Sequence, residues 1–326
     1  FEQYHNRIYL GGTSSTLFYS TTNDATNWNT SGSADSSSLT IPGEGKLGRL
    51  FKVSDMLCAT KNSNLAYRWD GFNLVDTSTD LGPSSPYSVA DSEGFKFIFN
   101  RLGIFGYGGG KWQLLSNPVQ RQIYNNSGSA ITGATFDTAP GETYKYGYHL
   151  AVGTTSDDFV GETIPNAVIK YDYQKNEFLD YSLAHNPTAW LKYKDTSREE
   201  QFVFASAGGQ CYQFSGTAKS DSGTTIPASM LYVATHGNPE WEKKYNWFYA
   251  FFNPGCQAQV SVAISNSYNI GKLKWKDLDQ AIDGVVSCRF SEGSRGRILF
   301  IKIRESSLDA PFTFYGFSVD AAPIKK

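Results

Sequence analysis

A short aromatic ribbon recurs along the first two-thirds of this 326-residue chain, and its clearest copy, Ala167 to Tyr181 (AVIKYDYQKNEFLDY), limits the fold more than any other feature. Val168, Lys170 and Asp172 alternate with Ile169, Tyr171 and Tyr173, a period of two that dresses both faces of a strand. Gln174 to Glu177 supply a polar turn and Phe178 to Tyr181 begin the return strand. LAYRWDGFNLVD (65 to 76) repeats the grammar around Asp70-Gly71, a favoured hairpin dipeptide. IFGYGGGKWQLL (104 to 115) turns through Gly108, Gly109 and Gly110, and LFYSTTNDATNW (17 to 28) and QCYQFSG (210 to 216) are looser copies.

One tyrosine per copy, Tyr19, Tyr67, Tyr107, Tyr171 and Tyr212, gives spacings of 48, 40, 64 and 41 residues. Three of these match the period of about 40 to 50 residues of a propeller blade. The long interval leaves room for an insertion, Ser116 to Glu142, rich in Asn, Ser, Gly and Thr and expected to be an exposed loop or partner-binding arm. Composition points the same way: 22 Phe, 20 Tyr and 7 Trp against 2 Met favour strands, and no segment keeps a helical period.

Gly216 to Pro227 (GTAKSDSGTTIP) has no apolar periodicity and reads as a linker. Beyond it Met230 to Ala234, Tyr245 to Asn253, Gln259 to Ile264, Val285 to Phe290, Arg297 to Arg304 and Pro311 to Val319 form strands at hairpin-length gaps, the pattern of a β-sandwich. The expected architecture is all-β: a propeller of divergent blades, whole or incomplete in this chain, over residues 1–220, then a C-terminal sandwich over 221–326.

Several chemistries lack their residues. A net charge of -2 argues against a general phosphate-binding surface, and the densest basic cluster, Lys192, Lys194 and Arg198, is diluted by Asp195, Glu199 and Glu200 and reads as a solvated loop. Gly106-x-Gly108-Gly109-Gly110-Lys111 lacks the spacing and the following Ser/Thr of a phosphate loop. His5, His149, His185 and His236 are dispersed, so neither a metal site nor a histidine base is expected, and no calcium loop, Gly-x-Ser-x-Gly elbow or cofactor motif occurs.

Asp157 with Asp158, or Asp172 with Asp180, are the carboxylate pairs a glycosidase could use, although such residues are more simply turn formers. Arg7, Arg49, Arg68, Arg101 and Arg121 do not recur at blade spacing, as a sialidase's carboxylate-binding arginines would require. Trp28, Trp112, Trp241 and Trp247 could stack on sugar rings, and their positions favour the blade and sandwich cores. Cys58, Cys211 and Cys288 sit in apolar runs where a buried free thiol packs well, and with Cys256 they suit a reducing cytoplasm. No run reaches the roughly 18 apolar residues of a membrane span, and a start at Phe1 in place of Met implies processing or an upstream segment.

Thr22, Asp24 and Trp28 resemble the Asp-box turn of sialidase-like propellers, with Thr26 in the glycine position and the tryptophan one place early. That motif builds a turn and does no chemistry. The phrases HNRIYLGG and LFYSTTNDATNW near the start, FIFNRLGIFGYGGGKWQL in the middle, and TTIPASMLYVAT, NPEWEKKYNWFYAFF and RILFIKIRESSLDAPFTFYGFSV towards the end resemble bacteriophage virion proteins of the β-propeller tail-hub, nozzle or stopper kind. The resemblance spans most of the chain in rhythm and short phrases. It implies a non-catalytic virion component assembled in the host cytoplasm. Its implied partners are copies of itself in a ring and neighbouring tail or connector proteins, with packaged DNA in the channel as a further candidate. The competing expectations are a sialidase-like or glycan-binding propeller and a receptor-binding adhesin.

Overall fold

The computed structural model describes the chain except residues 12–13, 30–35, 54–55, 62–65, 72, 79–80, 93, 109–110, 126–127, 130, 132, 158–161, 216–219, 222–223, 226–227, 236, 239, 269–271, 279–282, 306–312 and 325–326. It is nearly all β. The described residues fall into two compact units: Phe1–Ser156, Thr163–Tyr181 and His185–Phe214 in the first, and Asp157–Glu162, Ser182–Ala184 and Ser215–Lys326 in the second.

The first unit is propeller-like. Blade 1 joins Glu2–Tyr4, Arg7–Leu10, Thr16–Tyr19 and Ser37–Thr40, and blade 2 joins Leu47–Val53, Met56–Lys61, Ala66–Trp69 and Leu74–Ser78. Blade 3 contains Ala90–Ser92, Phe95–Asn100, Gly103–Gly108 and Lys111–Leu114, and blade 4 contains Gly141–Tyr144, Gly147–Asp157, Glu162–Asp172 and Glu177–Ser182. Blade 5 has three described strands, Pro187–Lys194, Glu200–Ser206 and Cys211–Gln213. Within each blade the strands pair in sequence order, and the first strands of blades 1 and 2, 3 and 4, and 4 and 5 are neighbours. All five anchor tyrosines occupy the third strand of their blade. The two looser ribbon copies, 17 to 28 and 210 to 216, hold one strand each, because their turns lead away from the sheet.

Each blade is apolar towards its neighbour. Tyr4, Tyr9 and Leu17 of blade 1 pack with Leu50, Leu57 and Trp69 of blade 2, while Phe51 and Cys58 of blade 2 meet Ile98 and Phe105 of blade 3. Phe97 of blade 3 stacks on Tyr148 of blade 4 at 5.1 Å. At the next junction Phe202 lies between Tyr144 at 4.8 Å and Trp190 at 4.9 Å, a parallel three-ring pile joining blades 4 and 5. Burying a ring of this size contributes roughly 2–3 kcal/mol.

The turns follow local chemistry. Asp70 Oδ1 accepts from the Asn73 amide and Gly71 takes φ +103°, while Asp172 Oδ1 accepts from the Gln174 and Lys175 amides ahead of Asn176 at φ +55°. The Ser116 to Glu142 insertion departs from the expected exposed arm. It folds through the short helices Gln120–Ile123 and Gly133–Thr138 and buries Ile123, Ile131, Phe136 and Ala139 beside Phe99. Four apolar residues spaced through a polar stretch sufficed to seat it, and Ser116 pins its start by accepting from the Ile104 amide and donating to Gln120.

The second unit is a sandwich. One sheet orders Ala228–Ala234, Ile298–Glu305, Gln259–Ser265 and Lys276–Asp277, and the other centres on Lys243–Phe252, flanked by Val285–Arg289, Arg295–Gly296 and Phe314–Pro323. Phe248, Ala250 and Phe252 face Val260, Val262, Leu299, Ile301 and Ile303 across the core. Within the stretch read as a linker, Ser220–Asp221 and Thr224–Thr225 pair as a small hairpin.

Candidate functional site

The densest cluster of charged groups described in the first unit lies where the first strands of blades 3, 4 and 5 run side by side. The Lys192 ammonium, on blade 5, donates to Thr143 Oγ1 at 2.7 Å and to the Asp91 carbonyl at 3.2 Å, and pairs with Glu142 at 3.3 Å. Thr143 also donates to the Asp91 carbonyl, and Glu142 accepts from the Thr143 amide. Lys96, buried on blade 3, pairs with the Asp91 carboxylate and lies 5.4 Å from the Phe51 ring of blade 2.

Each carboxylate therefore holds an ammonium, and four blades are tied together. A glycosidase requires one carboxyl able to give up a proton and a second free to attack or to activate water. Here each carboxylate contacts a lysine, with the Asp91 side chain 67 % exposed, and no arginine takes part in these contacts. The arrangement suits a latch better than an acid–base pair. Lys192 is thus no part of a solvated loop, whereas Asp195 does build the following turn by accepting from the Ser197 and Glu199 amides.

Beside this network His149 is buried at 6 % exposure, with Nδ1 2.7 Å from the Tyr181 hydroxyl and the Phe202, Trp190 and Tyr144 rings around it. Burial, aided by the nearby Lys170 charge, pushes its pKa down to about 3. It stays neutral, and its Nε2 makes no hydrogen bond. His5 stacks on Tyr4 and His185 on Tyr212, while His236 lies outside the described residues. Among the described residues no group of His, Cys, Asp and Glu could hold a metal ion.

Of the carboxylate pairs named from the sequence, Asp157 with Asp158 cannot be placed and Asp172 with Asp180 is not brought to one site. Asp158 and the Asp157 side chain lie outside the described residues, Asp172 is spent on its turn, and Asp180 is exposed on an outer strand. Arg7 sits over the Tyr19 ring at 5.1 Å. Gly106 and Gly108 belong to a strand and Lys111 opens the next, with Gly109 and Gly110 outside the described residues. Asp24 Oδ1 accepts from the Thr26 amide and hydroxyl, and Trp28 donates to the Ala25 carbonyl, so the Asp-box-like stretch is a turn.

Two aromatic expectations are corrected. Trp241 and Trp247 are exposed on the sandwich, whereas Trp112 packs edge-on against Tyr107 at 5.2 Å. Trp247 lies on the outer face of the central strand, stacked on Tyr249 at 5.9 Å, with Arg289 on one flank and Asp320 on the other. These residues edge a cleft of about 610 Å³ that also takes in Asn246, Lys276 and Glu292. The strand pattern reads as buried because its opposite face, Phe248, Ala250 and Phe252, is. Cys58, Cys256 and Cys288 are buried free thiols, but Cys211 is exposed. Burial carries the Cys58 thiol up to about 12.

No family model and no curated protein matches the chain. Solved structures do. A computationally designed protein, Ika8, is 14 % identical with a TM-score of 0.39 over 66 % of this chain, which spans 56 % of the design's length. BamB from Moraxella catarrhalis is 12 % identical with a TM-score of 0.36, over 88 % of this chain and 82 % of its own. The WD40 β-propeller domain of Doa1 is 12 % identical with a TM-score of 0.31, over 65 % and 75 %.

Proposed function

We propose that this chain is a non-catalytic structural component of a tailed-bacteriophage particle, built into its tail or head-to-tail connector through contacts with copies of itself and neighbouring proteins. The observation that carries the reading is how the charges are spent at the inner strands. Glu142 of blade 4 pairs with Lys192 of blade 5, whose ammonium also reaches the Asp91 carbonyl of blade 3, and the Asp91 carboxylate pairs with Lys96 within its own blade, so the charges at these strands are engaged with one another. Supporting it, large apolar side chains stand at the surface of the blades, among them Leu10, Phe18, Leu191 and Tyr193. Where such residues form a contiguous patch they are a common mark of protein contact. The phage-like phrases of the sequence give the contact its setting, and copies placed around an axis would give a ring.

Native mass spectrometry of the purified chain tests the assembly, and particle imaging with a labelled antibody tests the setting. The expected results are a closed oligomer of one stoichiometry and label at the tail or connector. A chain that stays monomeric at every concentration and hydrolyses a fluorogenic sialoside would overturn the reading.

A further inference from the structure

Trp247 reads as core in the sequence and stands on a surface in the fold. It belongs to a row of rings, Trp247, Tyr249 and Phe251, that a period of two puts on the outer face of Lys243–Phe252, the central strand of its sheet. The alternate residues Phe248, Ala250 and Phe252 fill the sandwich core, so the row is anchored from behind. Trp247 keeps 36 % of its surface open and Phe251 39 %. Trp247 and Tyr249 stack at 5.9 Å with their planes 15° apart.

The row is polar along both flanks. Register sets Arg289 and Ser287 across from Trp247 and Tyr249 on one side, and Asp320 and Ser318 across from the same two rings on the other. The Arg289 guanidinium lies 5.8 Å from the centre of the Trp247 ring. Between Tyr245 and Trp247 the ladder slips by one residue, and this bulge hands Asn246 to the flank, where its amide donates to the Asp320 carboxylate at 3.3 Å. Re-aiming a side chain is a common use of a bulge. The cleft of about 610 Å³ at the Trp247 end also takes in Glu292 and, from the facing sheet, Lys276. Lys276 is spent on the Cys288 thiol at 3.2 Å and the Arg289 carbonyl at 3.4 Å. Among the described residues neither Arg289 nor Glu292 has an ion-pair partner.

Rings edged by donors and acceptors suit a ligand that is apolar on its faces and hydroxylated around its rim, which is the build of a pyranose. Its C–H groups pack on the aromatic row, and amide, guanidinium and carboxylate groups take its hydroxyls. A phosphate or sulfate chain fits poorly, because Asp320 and Glu292 stand among the cations. An apolar protein surface fits poorly as well, since it would strip water from Arg289, Asp320 and Glu292 and return no partners. The volume lies within the range of about 300–1,000 Å³ usual for small-ligand sites.

We infer that the outer face of the sandwich binds a neutral oligosaccharide, laid along Trp247 and Tyr249, with Asn246, Arg289 and Asp320 holding its hydroxyls. The site performs no chemistry. It lies in the second unit, away from the charged latch of the first, and it stands whether or not the chain assembles with copies of itself.

The test is isothermal titration of the full chain with maltohexaose, cellohexaose, laminarihexaose, mannohexaose and chitohexaose, with a heparin oligosaccharide as the anionic comparison. At least one neutral sugar is expected to bind and to change the tryptophan fluorescence. Trp247→Ala is expected to weaken that binding by about 10-fold or more, and Asp320→Ala to weaken it several-fold. Trp241→Ala removes an exposed tryptophan outside the cleft and is expected to leave binding unchanged. Circular dichroism melts check that each variant folds.

No binding of any of the neutral sugars would overturn the inference. Binding that survives Trp247→Ala would overturn it by placing the sugar elsewhere, and a preference for heparin would overturn it by making the cleft an anion site. Loss of self-association in Trp247→Ala, with no sugar bound by the wild type, would show the face to be a protein contact: the inference would fall while the assembly role stood.

Discussion

Protonating His149 should unlatch the junction between blades 4 and 5. The ring is buried against Phe202, shares a hydrogen bond with Tyr181 and titrates at about 3 in the folded chain. An unfolded histidine titrates near 6.5, and each unit between the two states is worth about 1.4 kcal/mol. Because the folded value is depressed, the stabilisation is fully present above roughly pH 6.5 and is lost as pH falls towards the folded value. Between about pH 7.5 and 4.5 the loss integrates to ~3 kcal/mol, a large part of a net stability of about 5–15 kcal/mol. The assay is urea unfolding by tryptophan fluorescence at both pH values, with hydrogen exchange of Gly147–Asp157 locating the loss. His149→Phe keeps an aromatic ring in the site and removes the titration. It is expected to be less stable than wild type at neutral pH, by about 1 kcal/mol for the lost Tyr181 bond, and to close or reverse that gap in acid. Parallel pH profiles for the two proteins would refute the argument, since the other carboxylates titrate equally in both.

Phe202→Ala removes the middle ring of the Tyr144–Phe202–Trp190 pile and should cost about 3–5 kcal/mol in urea unfolding. Gly103→Ala should destabilise by more than ~1 kcal/mol, because the residue sits at φ +137° and an added Cβ would stand 2.1 Å from Ser116 Oγ, the atom that anchors the insertion. A thiol reagent should modify one cysteine rapidly in the folded protein, Cys211, and four in denaturant. Lys96→Met should change stability by less than about 1 kcal/mol in urea unfolding, since the Asp91 side chain it leaves is two-thirds exposed and water replaces the partner.

The blades were legible because their signal is local. A period of two, a turn dipeptide and one tyrosine per unit are readable within a dozen residues, and all five anchors fell on the equivalent strand. The insertion was misread because Ile123, Ile131, Phe136 and Ala139 are too widely spaced in a polar stretch to show a period, and only the assembled array offers them a cavity. The latch was invisible for a different reason. Asp91, Lys96, Glu142 and Lys192 come from three blades, and the Lys192 ammonium finds Glu142 and the Asp91 carbonyl only after the chain has folded, so these contacts leave no mark on the local pattern. Trp247 exposes a limit of alternation itself: the pattern tells that a strand has two faces, not which face finds a partner.

That limit bears most heavily on blade 5. The expectation of a buried Cys211 rested on the apolar run around it, and the thiol is exposed. The local inference fails for the single molecule while the chemistry behind it stays sound, because burial is decided by whatever finally packs against the sheet. Exposed apolar side chains also stand on inner blades, at Phe95 and Leu179. On blades 1 and 5, Phe18 lies across from Ser38 and Val203 across from Gln213, so those faces mix polar and apolar residues. An apolar side chain among polar neighbours does not by itself say what packs against it.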